Sequence, residues 1–593
     1  MIADDLITKL KEMKERGAFK NYIDYVRFPF FRTLEPNTII EFDFPLTVFV
    51  GQNGCGKSST LQALFGCPKG KSVSTYWFNT CIDPIEEFDQ SKNRHCLIYS
   101  HSSGGPDKEV LKTRINKVGQ PDLWDTSEPI SRYGMKMGTR NPPVDKDVVY
   151  INFRAVQNAF EKRFHEQRPP QSGIQDHLRS RSWYLDRIIK GKTIPHFQGK
   201  THEPLGQLTA GELSAVSKIL GRTYKGAKLI KHRIFDHWGY SAILQTEHAS
   251  YSEAFAGSGE TAVVVLVKEI FEAPSNSLLL LDEPENSLHP GAQMKILEFL
   301  LEQCIEKQHQ IIVCTHAPTL VQALPKQAIK VFTPTAKGYF RVEKEILPQE
   351  AFYFLGQPVT DKKRVIVEDR LAKAMIDIVL NRMGEAAKNI FEIIYYPGGE
   401  SHMKNEAVLY SRDQPSEVFL LFDGDQKPDS PFYNPADLTV GIDSDFDAAI
   451  QFLDAEIKKS LGREIKFPSD GNGGVGNKQQ QRDLRKNYLK YCRRNIFYLP
   501  MKTPEEEIWD DACVENFLNL IFPSDSVLEV KAILAAETNY KKKFVVLTDI
   551  LCGKSSGEKI DVIHSILTKA WASNKTSMVD ATCKILEAIK NKA

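Results

Sequence analysis

Gly51-Gln52-Asn53-Gly54-Cys55-Gly56-Lys57-Ser58 decides how the first half of this chain is read. The spacing is G-x-x-x-x-G-K-S, with an apolar run at 46–50 leading in and a helical pattern from about Ser59 leading out. Strand, glycine loop and helix in that order make a phosphate-binding loop. The glycines let the backbone curl and aim N–H groups at an anion, and the helix N-terminus adds positive potential at the same point. Lys57 supplies a cation for the outer phosphates, and the Ser58 hydroxyl is placed to ligate Mg²⁺. The expected nucleotide contacts are Gly51, Asn53, Gly54, Gly56, Lys57, Ser58 and Ser59.

Downstream, an apolar run at 277–281 ends in Asp282-Glu283-Pro284. Four consecutive leucines fit a strand buried on both faces of a parallel sheet, and ligands of such sheets bind at the strand ends. Asp282 is therefore expected to hold Mg²⁺, directly or through water. Glu283 is expected to orient and deprotonate the water that attacks the terminal phosphate. The next apolar run, 310–314, delivers Thr315-His316-Ala317-Pro318, which puts His316 where it can sense that phosphate. Ahead of these, Ala256-Gly257-Ser258-Gly259-Glu260 is a small-residue turn opening an apolar helix at 261–271. Such a start presents N–H groups and the Ser258 hydroxyl to an anion. Leu208-Thr209-Ala210-Gly211-Glu212-Leu213-Ser214 is a rival for that role and fits it less well.

A chain of 593 residues is too long for one core and implies roughly three to five domains or subdomains. Hydrophobic and charged contents of 41% and 26% are those of a globular protein. A net charge of +1 excludes a global field that would draw in nucleic acid, so any such contact rests on a local patch. Ten cysteines without a C-x-x-C pair, with Cys304 and Cys314 inside apolar runs, fit reduced, buried thiols. The N-terminal stretch 1–17 is charged and amphipathic, with Leu6, Leu10 and Met13 on one face, and lacks the apolar centre of a signal peptide. No apolar run reaches membrane-spanning length. A cytoplasmic protein without membrane contact is expected. Short strands are expected at 22–28, 38–44 and 148–153, strands and loops at 66–147, and a basic helical stretch at 154–192.

The phosphate loop, the Ser258-Gly259-Glu260 helix start, Leu278-Leu279-Leu280-Leu281-Asp282-Glu283-Pro284 and Thr315-His316 together resemble the ATP-binding heads of the ABC superfamily. Leu288-His289-Pro290 after the acidic pair is typical of its chromosome-maintenance and DNA-repair branch. The resemblance covers about 20–345, within an expected ATPase domain at 1–345 with insertions at 66–147 and 155–255. It implies ATP and Mg²⁺ as cofactors. It also implies two heads sandwiching two nucleotides, with Ser258 and Gly259 reaching the nucleotide held by the other subunit. One set of motifs per chain implies a homodimer or a higher homo-oligomer. The glutamine-bearing loop of such heads is not identifiable.

After an expected connection at 346–360, the pattern restarts. Three strand-like runs, 364–367, 391–396 and 417–422, are interleaved with helical ones, which predicts a second, small parallel sheet and an α/β fold throughout. The strand ends deliver Glu368, and then Asp423 and Asp425 around Gly424. A later helix start, Pro504-Glu505-Glu506-Glu507, adds three acids. Converging carboxylates repel one another unless a cation sits among them, and oxygen-rich sites take Mg²⁺ or Mn²⁺. Two such ions can activate water on one side of a phosphodiester and stabilise the leaving oxygen on the other. Arg482, Arg485, Lys486, Lys490, Arg493 and Arg494, interleaved with Tyr488 and Tyr491, read either as a DNA track with stacking tyrosines or as a solvated helix face with its aromatics turned inward. Residues 466–480 read as a flexible joint and 511–593 as helices.

This half, 361–510, resembles a TOPRIM domain. An ABC head followed by TOPRIM is similar to the OLD (overcoming lysogenization defect) family of ATP-dependent nucleases, which serve in anti-phage defence, some beside a reverse transcriptase in retron systems. The resemblance implies a DNA substrate and metal-binding roles for Glu368, Asp423 and Asp425. It also implies one acid from Glu505, Glu506 and Glu507, of which Glu507 is favoured. A reverse transcriptase with its msDNA, or another defence component, is the implied partner. Asp369 stands where the family often has glycine, and Ala372 falls near a second expected acid. Two readings follow: an ATP-gated endonuclease, or an ATPase sensor whose second domain binds without cutting. A transporter's ATPase subunit is a third, and the second acidic sheet has no place in it.

Overall fold

The computed structural model describes the chain except residues 1, 87–93, 103–107, 118–119, 154–158, 160–172, 195–200, 236–237, 356–361, 396–397, 413–415, 469–476 and 593. Most of 154–172, part of the expected connection and most of the Gly/Asn-rich joint thus lie outside the described residues. The chain divides into two compact units, Met1–Pro358 and Val359–Ala593.

The first unit is built on a six-stranded mixed sheet. Its fully buried strand Leu46–Gly51 runs parallel to Gln310–Cys314 on one side and to Ile329–Pro334 on the other. Beyond Gln310–Cys314 lie Leu278–Asp282 and then Val148–Asn152, also parallel; Phe340–Glu343 closes the other edge antiparallel. The register sets Asp282 opposite both Cys314 and Asn152, and Cys314 opposite Phe49. The strand carrying the phosphate loop and the strand carrying the acids therefore end at one level, with the His316 strand between them. Continuous apolar runs make these strands because both faces are covered, by helices such as Lys57–Phe65, Ser258–Glu272 and Pro290–Glu306. The N-terminal helix Ile2–Glu15 packs against Pro290–Glu306 through the face that buries Leu10.

The stretch 66–147 is more regular than expected. Cys96–His101, Glu109–Lys117 and Gln120–Ser127 join Ile23–Phe30 and Thr38–Glu41 in a five-stranded antiparallel sheet. Its turn residues are visible in the sequence, but these strands bury polar side chains such as Ser100, His101, Lys112, Thr113 and Arg114 among the apolar ones, which breaks the alternation. Within 155–255, Gly206–Gln207, Gly226–His232, Gly239–Gln245 and Ser250–Ser252 form a four-stranded antiparallel sheet. Part of the expected connection belongs to the first unit: Pro348–Phe354 is a helix whose Ala351 joins the head core.

The second unit holds a four-stranded, all-parallel sheet in the order Phe391–Tyr395, Lys363–Val367, Val418–Phe422, Ile496–Tyr498. Helices Arg370–Met383, Gly399–Tyr410, Phe446–Leu461 and Lys478–Asn495 accompany it. The tail is five helices, Asp511–Ile521, Ser524–Ala536, Tyr540–Cys552, Gly557–Asn574 and Thr576–Lys590. It is tied to the sheet: Gly557–Asn574 and Thr576–Lys590 pack on Arg370–Met383, and Lys363 Nζ donates to the Lys592 carbonyl (2.7 Å).

The 482–494 stripe has the inward reading. Tyr488 and Tyr491 are fully buried and donate their hydroxyls to the Lys404 and Val418 carbonyls. Arg485 pairs with Asp454 and Lys486 with Asp443. These rings have no face for a base. All ten cysteines are free thiols. Among the described residues no helix is long and apolar enough to cross a membrane.

Candidate functional site

The head site is assembled where the parallel strands end. Gly51, Gly54 and Gly56 all have positive φ, and a Cβ on Gly51 would lie 2.8 Å from the Phe332 carbonyl oxygen, so the loop's path needs glycine. Asn53 lies within this curl, and Ser58 and Ser59 stand in the first turn of Lys57–Phe65. Lys57 is 5% exposed, and its ammonium donates to the loop's own Gly51 and Gln52 carbonyls (2.8 and 2.9 Å). Ser58 Oγ donates to Asp282 Oδ1 (3.1 Å), and the Tyr150 hydroxyl donates to Asp282 Oδ2 (3.2 Å). Asp282 is itself 2% exposed. A buried carboxylate sharing a hydroxyl with the phosphate loop is a donor set that fits Mg²⁺.

Glu283 turns through a left-handed backbone (φ 56°), unusual for a residue with a side chain, and its N–H donates to the Cys314 carbonyl (2.9 Å). That twist brings its carboxylate within 3.4 Å of His316 Nε2. His316 is oriented by a residue the sequence did not single out: Glu285 Oε1 accepts from both the His316 N–H (2.8 Å) and the Thr315 hydroxyl (2.6 Å). Burial pushes the Glu285 carboxyl above its ordinary value.

Ser258 opens Ser258–Glu272 and is exposed. Gly259 lies against the loop after the acidic strand; a Cβ there would sit 2.6 Å from the Ser287 carbonyl oxygen. Glu260 Oε1 receives the hydroxyls of Tyr224 and Tyr251, and its Oε2 the Gly257 N–H (3.0 Å). The four-stranded insertion thereby grips this helix start. The rival segment forms its own helix, Ala210–Leu220, with a Thr209–Glu212 capping box; Glu212 then pairs with Lys268 (3.2 Å), so it buttresses the Ser258 helix.

The second unit also gathers its acids at strand ends. The Asp423 N–H donates to Glu368 Oε1 (2.9 Å), joining the carboxyl end of one strand to that of its neighbour. Asp423 is 4% exposed; burial first, then the charges of Glu368, Asp369, Glu505 and Asp425, push its carboxyl up to about 8. Burial also raises Glu368 and Glu505. Asp423 Oδ1 and Glu505 Oε2 are buried and find no hydrogen-bond partner among the described residues. Asp425 is more exposed; Gln426 Nε2 donates to its Oδ1 (3.2 Å), and Lys404 Nζ in turn donates to Gln426 Oε1 (3.2 Å). Gly424 between the aspartates leaves no room for a side chain: a Cβ would lie 2.2 Å from the Met501 carbonyl oxygen.

Among the three late acids, the one facing Asp423 is Glu505, with Lys541 Nζ 3.5 Å from its Oε1. The favoured Glu507 is turned elsewhere, accepting from Trp571 Nε1 (3.1 Å) with Lys575 beside it (3.5 Å). Glu505, Glu506 and Glu507 are successive in one helical turn and point some 100° apart, so packing alone separates them. Lys541, despite burial, is held above its ordinary value by Glu505, Asp369 and Asp423. Asp369 caps Arg370–Met383, its Oδ1 accepting from the Ala372 N–H (2.8 Å), and Ala372 is buried without a carboxylate to offer. Two buried oxygens without a partner among the described residues and a carboxyl pushed up to about 8 by burial and neighbouring acids have the chemistry that suits a divalent cation. Yet among the described residues no three His, Cys, Asp or Glu groups are drawn together closely enough to hold an ion as they stand.

Residues 170–321 match the AAA ATPase domain family, and residues 30–110 match a second AAA domain family. Both matched stretches lie in the first unit. Solved structures similar to it include an SMC head bound to the C-winged helix domain of ScpA, with 17% identity over 54% of this chain and 97% of that chain and a TM-score of 0.32. The SMC head domain from Thermotoga maritima matches at 14% identity over 55% of this chain and 98% of that one, TM-score 0.28. An SMC head with an extended coiled coil bound to the C-terminal domain of ScpA, derived from Pyrococcus furiosus, matches at 13% identity over 56% and 98%, TM-score 0.30. A search of curated proteins finds no match.

Proposed function

We propose that the chain is an ATP-dependent, metal-dependent DNA endonuclease of anti-phage defence, in which ABC-type heads dimerise on ATP and gate a TOPRIM-like site in the second unit. In the head, phosphates enter the Gly51–Ser58 loop and Lys57 exchanges its own loop carbonyls for phosphate oxygens. Glu283 accepts a proton from the attacking water. His316, aligned by Glu285, meets the terminal phosphate. Ser58 and Asp282 would hold Mg²⁺, which neutralises charge developing on the leaving phosphate. Ser258, exposed at its helix start, and the buried Gly259 beside it complete the site of a second copy.

In the second unit, Glu368, Asp423, Asp425 and Glu505 would hold Mg²⁺ or Mn²⁺, which supplies an activated water and charge neutralisation at a phosphodiester. Lys541 keeps Glu505 in place and lowers the repulsion within the cluster. The observation that carries this reading is the Asp423 N–H bond to Glu368 Oε1, with Asp423 Oδ1 and Glu505 Oε2 left unpartnered beside it. The sequence resemblance to OLD nucleases is what supports the rest of the proposal: DNA as substrate and a reverse transcriptase with its msDNA, or another defence component, as partner. The test is incubation of the purified protein with plasmid DNA, Mg²⁺ or Mn²⁺, with and without ATP. Wild type is expected to cut; Asp423→Ala is expected to hydrolyse ATP and leave the plasmid intact. Cutting by Asp423→Ala refutes the assignment.

A second reading is favoured by one observation: Asp369 is engaged as a helix cap and Ala372 brings no acid, so the ligand set is short of the family's pattern. Under it the chain is a sensor or scaffold ATPase that binds nucleic acid or a toxin partner. It predicts ATP turnover and no nicking with either metal.

A further inference from the structure

A groove of about 400 Å³ lies along the outer edge of the second sheet, walled by the loop that follows Asp425 and by the edge strand Ile496–Tyr498. Its position follows from the chain: Gly424–Gln426 turns at the strand end, and Lys427 through Phe432 then run along the sheet's outer edge. Phe422 is paired in register with Tyr498, so the Tyr498 end of the groove is level with the strand end that leads to Asp423, while Cys492, Arg493 and Ile496 line it toward the start of the edge strand. The lining is mixed in a specific way. Lys427 and Arg493 contribute cations, Tyr498 and Phe432 contribute rings, and Asp429 adds an acceptor. The Tyr498 ring stacks on Phe422 (6.1 Å between centroids, 30°), which fixes its plane. Arg493 Nη1 donates to the Phe432 carbonyl (2.7 Å), which ties the loop to the helix Lys478–Asn495 and holds the wall in place.

We propose that this groove is a nucleotide subsite: it takes one nucleotide of a single-stranded segment flanking the phosphodiester held at the acids. The inference rests on the endonuclease reading and names the form of polynucleotide the site accepts. Volume, charge and rings point the same way. Roughly 300–1,000 Å³ is the usual size of a small-molecule pocket, and this groove is at the lower end, enough for one base and sugar. A fixed ring offers the π-face on which any base stacks, worth about 1–3 kcal/mol per base. Lys427, two residues beyond Asp425 in the chain, is the lining cation nearest in sequence to the acids and offers its charge to a backbone phosphate. Asp429 can accept from a base's exocyclic amine. A volume of about 400 Å³ takes one nucleotide and not a base pair, so single strands, or ends and bubbles in a duplex, are the form recognised.

The test separates binding from cutting. Full-length protein in EDTA is titrated into a fluorescein-labelled single-stranded oligonucleotide, followed by anisotropy, for wild type, Lys427→Glu and Asp423→Asn. The same oligonucleotide carrying 5-iododeoxyuridine is photocrosslinked to wild type and mapped by mass spectrometry. Lys427→Glu is expected to weaken binding at least tenfold while its ATP hydrolysis stays at the wild-type rate. Asp423→Asn is expected to bind as wild type does. Crosslinks are expected on Tyr498 or Phe432. Equal binding by Lys427→Glu and wild type, or crosslinks that avoid both rings, overturns the subsite. A cleaving Asp423→Ala, in contrast, overturns the endonuclease reading and leaves the binding result standing on its own.

Discussion

At the residue scale, the two acid clusters differ in how each carboxylate is satisfied. Asp282 has a hydroxyl on each oxygen, whereas Asp423 Oδ1 finds no hydrogen-bond partner among the described residues. That difference has consequences in pH. A buried acid whose folded pKa lies above its unfolded value binds its proton more tightly when folded. Stability is therefore highest below the unfolded value of 3.8 and is lost as pH rises toward about 8. In EDTA, thermal melting should fall between pH 5 and pH 8, and Asp423→Asn should flatten the slope; a profile unchanged by Asp423→Asn contradicts the burial argument. Glu505 and Glu507 are separable in the same way. Glu505→Gln is expected to lower metal-dependent cleavage by at least roughly 10- to 100-fold, and Glu507→Gln to leave it near wild type, measured as plasmid nicking rates. In the head, Glu283→Gln should lower kcat for ATP hydrolysis by about 10²- to 10⁴-fold, read as phosphate release. The sequence exposed Glu283 and Asp423 because each ends an apolar run. It hid Glu285 and the choice of Glu505, since both depend on which way a side chain turns within a short helix or loop.

At the element scale, strand ends do the placing. Three of the four parallel strands of the second sheet stand in the sequence as apolar runs interleaved with helical patterns, while the three-residue edge strand Ile496–Tyr498 does not; the acid-bearing ends line up because parallel neighbours share direction. Invisible in the sequence was the turn that holds Asp423 and Asp425 apart. Gly424 passes within contact of the backbone at Leu499 and Met501, a long-range approach that no local pattern reports. Gly424→Ala forces the turn away from that backbone. It is expected to destabilise the second unit by about 1–3 kcal/mol or more and to abolish cleavage, while ATP hydrolysis persists. Denaturant melts and paired nuclease and ATPase assays check this. The antiparallel sheets at 96–127 and 206–252 stand in the sequence only as short strands and loops and as an unassigned insertion, because strands such as Cys96–His101 bury polar and apolar side chains alike and show no clean alternation. The second of these grips Glu260 through Tyr224 and Tyr251 and so sets the pose of the Ser258 helix.

At the scale of the whole molecule, one chain supplies one phosphate loop and one exposed Ser258 helix start. Under the proposed function these complete each other only between copies. Glu283→Gln, which binds ATP without turning it over, is expected to accumulate as a dimer with ATP and Mg²⁺ in light scattering, and Lys57→Ala to remain as it is without nucleotide. An ATP-independent mass for Glu283→Gln contradicts the clamp. The second unit's claim is the sharper one, because everything said of cutting depends on an ion among its acids. The most direct measurement is anomalous diffraction at the manganese edge from crystals grown with Mn²⁺. The account predicts a peak among Glu368, Asp423 and Glu505, lost in Asp423→Asn. A wild-type map with no peak there, at a manganese concentration that supports ATP hydrolysis, contradicts it.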